Sequence, residues 1–345
     1  MGSLLSRFSL YDPMAITQIL SRSDCIRSLS SQEQIVGEVV FRKSFQVANN
    51  ERVLIVSDPR KTNEAAIFFE SAKLYTSQLE YISFDGMTEN SQEPPDEVAA
   101  KMRNAQIVLL VTSFSLSHTQ ARREACQNGV RIASLPGISH SMILRTLQTD
   151  PHALKKQTET IATLLSKNSH VRITSPEGTE LTISIKGRKG IADTGILHMP
   201  GSFGNLPAGE AFIAPVEGSA EGILVVDGAM AGIDLDTPTM IKIANGNVTM
   251  ITESQAGKEL LRRMDTAGPK SRVVCELGIG TNPTTLLNHN VLEAEKVYGT
   301  CHIAFGNNST FGGTNSVLFH TDVVLRNPMV MIEDKIVVKE GSIRV

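Results

Sequence analysis

The sequence predicts an α/β N-terminal domain, residues 1–167, followed by a β-rich α+β C-terminal domain, residues 168–345. Three observations carry that expectation. Short apolar runs alternate with helix-periodic segments through the first half, and a long helical segment closes that pattern near Asn168. Beyond it the texture becomes strand-like, and most of the 26 glycines fall there.

The elements follow in order. The opening MGSLLSRFSLYDPMAITQIL lacks the basic start and continuous apolar run of a secretory signal, so a mature cytoplasmic start is expected. Its formal match to a myristoylation pattern is a chance one, and no stretch of 18 apolar residues suggests a membrane span. From Glu51 the segments RVLIVSD, NEAAIFFESAKLY, LEYISFD, AQIVLLVTS, HTQARREACQNG and VRIASLPG alternate strand and helix, the grammar of a parallel sheet. Strands ending at Asp58, Ser113 and Pro136 present their carboxyl ends, where open α/β sheets bind ligands. No GxGxxG follows any of them, which argues against a dinucleotide. In the second half VRITSPEGTELTISIKG reads as a hairpin with PEGT at its tip, and ESQAGKELLRRMDTAG as a helix.

Composition narrows the function. A net charge of -3 and the lack of any block of like charge exclude a nucleic-acid arm, leaving a peptide or small molecule as the expected partner. The four cysteines form no CxxC pair, which speaks against a zinc knuckle or a disulfide framework.

Five residues carry the chemistry. In FHTDVVLRN, His320 and Asp322 stand two apart on a strand and so share a face, able to ligate one ion. In VYGTCHIAFGNN, His302 is enclosed by apolar and small residues. Glu276 ends an apolar run in RVVCELGIGTNP, and Glu210 lies between apolar segments in NLPAGEAFIAP, poor places for an unpaired buried charge. Together they suit two divalent ions with one bridging carboxylate, the natural reading being a hydrolase. The same residues leave a rival: His302, His320 and Asp322 form a 2-His-1-carboxylate set of the non-haem iron(II) kind. The polar loop GNNSTFGGTNS is expected to cross the mouth of such a site. Glu295 and Lys296 read as turn or surface charges, and Glu221 and Asp227 as edge-strand ion pairs or outer groups that orient ligands. His118, His140, His152, His170, His198 and His289 read as surface or capping residues.

Through NLPAGEAFIAP, SAEGILVVDG, ELGIGTNP, GTCHIAFGNNSTFGG and HTDVVLRNP the chain resembles the thermophilic-type metalloaminopeptidases, the aminopeptidase T or leucyl-aminopeptidase-like family. The resemblance implies metal ligands at Glu210, Glu276, His302, His320 and Asp322, two zinc, cobalt or manganese ions, and a homodimer. The expected reaction is cleavage of an N-terminal peptide or related amide bond; among the five, Glu276 is taken as the bridging carboxylate, and Glu210 or another nearby carboxylate as a candidate base. The family's catalytic tyrosine falls on Ser309, a departure that also leaves room for a binding protein without turnover. More distantly, the HTD strand and the following LRN resemble 2,5-dihydroxypyridine 5,6-dioxygenase, which binds one iron(II). In that family the position of Glu276 is a histidine and Glu210 is not retained, so the ligand set reads closer to the peptidase.

Overall fold

A computed structural model describes residues 15–288 and 290–345, so the opening MGSLLS and His289 lie outside the described residues. The architecture is mixed α/β with three sheets of six, six and eight strands. In the first sheet, Arg52–Ser57, Gln78–Phe84, Ile107–Val111 and Arg131–Ser134 run parallel, each apolar on both faces as the helices covering a parallel sheet require. Alternate residues diverge to two cores, Val53, Ile55 and Leu109 entering one and Leu54, Val56 and Leu110 the other. Ile16–Ser21 adds an antiparallel strand at one edge that the sequence pattern did not reveal.

Local chemistry sets the helix limits. Thr119 caps Gln120–Gln127 through its hydroxyl, and Gly129 at φ 88° turns the chain away after it. Asp150 caps Pro151–Lys167, whose proline supplies no amide where none is needed.

The other two sheets pack face to face. The six-stranded one runs in the order 229–230, 320–325, 301–306, 274–280, 210–213, 191–193, all antiparallel. Leu277, Ile279, Cys301, Ile303, Phe305, Val323 and Leu325 point from one of its faces into a shared core. Val171, Ile173, Leu181, Ile183, Leu224, Ile241 and Val330 answer them from the eight-stranded sheet. That sheet includes the expected hairpin, residues 170–174 paired with 180–184.

The chain crosses the 167/168 line in both directions. Phe203–Asn205 returns to pair in parallel with Arg131–Ser134, and Leu197, Leu206 and Ala208 pack into the first sheet's core. Conversely, Ile161, Ala162 and Leu165 of the helix before the line belong to the core between the other sheets. No described helix is long and apolar enough to cross a membrane.

Candidate metal centre

Strand register assembles the site. Glu276 pairs across with Ala304, and Ala304 with Asp322, so the two carboxylates stand in one row separated by a methyl group. His302 lies opposite Gly278, and Glu210 opposite Gly280. A Cβ at Gly278 would come within 2.0 Å of His302 Nε2, so the imidazole occupies the space that the glycine leaves. With the odd-numbered residues of these strands committed to the core, Glu210, Glu276, His302, His320 and Asp322 share the opposite face.

The donors form two groups joined by Glu276. His302 Nε2 lies 3.3 Å from Glu210 Oε2 and 3.5 Å from Glu276 Oε1. His320 Nε2 lies 3.5 Å from Glu276 Oε2 and 3.5 Å from Asp322 Oδ1. Such separations are too long for well-formed hydrogen bonds and suit donors facing a common ion. Glu210 Oε2 and both ring nitrogens of His302 are buried with no hydrogen-bond partner among the described residues. Unpaired buried groups of this kind call for an ion or water. His320 Nδ1 lies 2.9 Å from the Asn307 carbonyl, which fixes Nδ1 as the protonated nitrogen and leaves Nε2 for a ligand bond.

The 2-His-1-carboxylate set of His302, His320 and Asp322 is divided between the two groups, which share Glu276. The two imidazoles face the two oxygens of the one Glu276 carboxylate, His302 with Glu210 beside it and His320 with Asp322.

Electrostatics favour positive charge here. Burial opposes charging His302, yet the Glu276 and Glu210 carboxylates outweigh it and raise its pKa to about 9. His320 is likewise raised well above its ordinary value against burial, with Asp322 among the causes. Behind this row lies a fully buried ammonium. Lys296 Nζ is 2.7 Å from Glu210 Oε1, 2.7 Å from Glu295 Oε1 and 3.9 Å from Asp193. Glu295 and Lys296 do lie in a turn, the one that follows the four-residue helix Val291–Ala294, but it directs Lys296 inward, so Lys296 is no surface charge. Burial lifts Glu210 to about 8 although Lys296 pulls it back. Glu221 and Asp227 take no part, each accepting from a backbone amide, of Asn245 and Arg326.

Three side chains missed by sequence reasoning approach His320, one of them Cys275, whose Sγ lies 3.6 Å from His320 Nδ1. His118, following the parallel strand Ile107–Val111, has its ring centroid 5.9 Å from that of His320. It is no surface residue: its Nδ1 is buried without a partner among the described residues, and burial, aided by His320 and Arg122, lowers its pKa to about 4. Its signal was position, at the carboxyl end of a parallel strand. Phe311, in the glycine-rich loop, stands edge-on to His320 at 6.2 Å and to Phe212 at 5.6 Å. Ser309 is exposed and donates its hydroxyl to Asn307 Oδ1 at 2.8 Å.

The sequence pattern of the 2,5-dihydroxypyridine 5,6-dioxygenase family matches residues 39–345. The chain belongs to that family. A curated relative, the 2,5-dihydroxypyridine 5,6-dioxygenase of Pseudomonas putida KT2440, is 23% identical over 96% of this chain and 97% of its own length. The solved structure of 2,5-dihydroxypyridine dioxygenase from that organism superposes with a TM-score of 0.80 at 19% identity, covering 92% of this chain and 98% of that one. Wild-type AmpT from Thermus thermophilus superposes with a TM-score of 0.69 at 16% identity, covering 91% and 99%. At these identities the two structures share the fold. The aminopeptidase-like hydrolase expected from the motifs is thereby overturned: membership lies with the dioxygenases, and aminopeptidase T is a distant structural neighbour. The motifs misled because a carboxylate and histidine row on one scaffold suits either chemistry.

Proposed function

We propose that the protein is a metal-dependent ring-cleaving dioxygenase acting on a dihydroxylated pyridine or a similar aromatic diol. The observation that carries this is the family match through residues 39–345 with the His320–Asp322 pair standing beside Glu276. Glu276, His320 and Asp322 would hold iron(II), a donor set of one imidazole and two carboxylates within that ion's range. Iron(II), when bound, supplies the one-electron chemistry through which dioxygen reacts with an organic ring.

The chain's own groups do the rest. Asn307 holds His320 in the tautomer that offers Nε2. His118 stays neutral at physiological pH and sets an uncharged imidazole beside His320, a polar ring available to hydrogen-bond a substrate hydroxyl. Phe311 and Phe212 give the row an apolar flank. One specific observation favours a second divalent ion with Glu210, Glu276 and His302: the unpartnered buried Glu210 Oε2 and His302 nitrogens.

Oxygen uptake by anaerobically purified, iron-loaded protein with 2,5-dihydroxypyridine tests the reading. Uptake in step with loss of the ring absorbance supports it. Hydrolysis of peptide amides without oxygen uptake on any aromatic diol would sink it, and elemental analysis separates one ion from two.

A further inference from the structure

The loop Asn307–Asn315 is held far more firmly than its glycines suggest. Glu217 Oε1 accepts from Asn308 Nδ2 at 3.0 Å and from the Thr314 amide at 2.7 Å, while Arg188 binds both Glu217 and the Gly312 carbonyl. Inside the loop the fully buried Asn308 accepts from the Asn315 amide at 2.9 Å, and Asn315 donates to the carbonyls of Gly306 and Lys270. A Cβ at Gly313 would fall 1.9 Å from Asn308 Cγ, so that glycine is what lets the cage close.

This cage presents a single aromatic ring. Phe311 is partly exposed and belongs to none of the apolar cores, yet its ring sits edge-on to Phe212 and to His320. Phe212 stands two residues from Glu210 on the same strand face, so the two phenyl rings run along the donor row. Ser309 turns its hydroxyl back into the loop. Toward the centre, then, the loop offers a ring without a proton to give.

We infer that Phe311 is a specificity-determining residue that packs against the ring of an aromatic substrate beside His320, and that Glu217 is the positioning residue that holds it there. This rests on the proposed ring-cleaving reading. An edge-to-face partner favours a flat ring, which fits the aromatic diol of the proposed reading.

Anaerobic calorimetric titration of 2,5-dihydroxypyridine into the iron(II)-loaded protein tests it, with iron content measured on each sample. Phe311→Leu should bind about tenfold more weakly, Phe311→Tyr within about twofold of wild type, and Glu217→Ala severalfold more weakly, all with iron retained. Under turnover, Phe311→Leu should raise KM and leave kcat within about threefold. Wild-type affinity in Phe311→Leu overturns the role of the ring, and loss of iron in that variant shows a support for His320 instead. Wild-type affinity in Glu217→Ala overturns the positioning role. If wild type itself binds no aromatic diol, the ring-cleaving reading falls and this inference with it.

Discussion

Gly278→Ala probes the row directly. The added methyl carbon would stand 2.0 Å from His302 Nε2, 2.2 Å from Cε1 and 2.9 Å from Cδ2, well inside contact for three ring atoms at once. The ring cannot step aside cheaply, since His302 is fully buried and flanked by Glu210 and Glu276. Overpacking of this kind costs about 1–3 kcal/mol. Spread over the unfolding entropy of a chain this long, that lowers Tm by roughly 1–4 °C. The effect on the site should exceed the effect on the fold, because a displaced imidazole loses both carboxylate neighbours. Scanning calorimetry and metal titration read the two separately. A cycle with His302→Ala sharpens the test: with the ring gone, adding the methyl group should be near neutral, giving a coupling of about 1–3 kcal/mol. Additive losses, or a Gly278→Ala protein with unchanged stability and metal binding, would refute the placement of His302 over Gly278.

Glu276→Gln removes the carboxylate common to both donor groups, so metal content and oxygen uptake should fall together, beyond the roughly 10–100-fold loss typical of an outer ligand partner, with circular dichroism unchanged. His118→Phe keeps a flat ring there and removes both ring nitrogens; turnover should drop about tenfold with iron content intact, as stopped-flow oxygen consumption would show. Glu33 offers a test remote from the centre. Burial alone would raise its pKa, but Arg27, the Ser30 amide and His140 outweigh it and hold the carboxyl at about 2. A carboxyl depressed from 4.5 stabilises the fold above about pH 4.5, and that contribution disappears as pH falls toward 2. Arg27 is partly exposed, so a discounted figure of about 2 kcal/mol is appropriate for Glu33→Gln at pH 7. Urea midpoints for the two proteins should converge near pH 2; a gap that persists there contradicts the assignment.

Much of the parallel sheet was legible because its strands are apolar on both faces and separated by well-capped helices, as at Thr119 and Asp150. His320 and Asp322 were legible as partners because a two-residue spacing on a strand settles which face they share. Which group His302 joins was not, since register between strands is fixed by pairing across the sheet and leaves no trace in local spacing. Lys296 escaped for another reason. A lysine next to a glutamate ordinarily reads as solvated, and only the inward turn near residue 294 brings it against Glu210, Glu295 and Asp193. His118 and Phe311 reach the centre from loops, where sequence periodicity carries no information about direction.

The return of Phe203–Asn205 to the first sheet bears on how this gene can be cut. A fragment ending at residue 167 would leave the outer edge of Arg131–Ser134 with bare amides and carbonyls, and would strip the apolar cover supplied by Leu197, Leu206 and Ala208. Exposed strand edges recruit other chains, so such a fragment should collect in inclusion bodies. Partial digestion, library shuffling and fusion-partner design should therefore leave the chain unbroken between Arg131–Ser134 and the returning Phe203–Asn205.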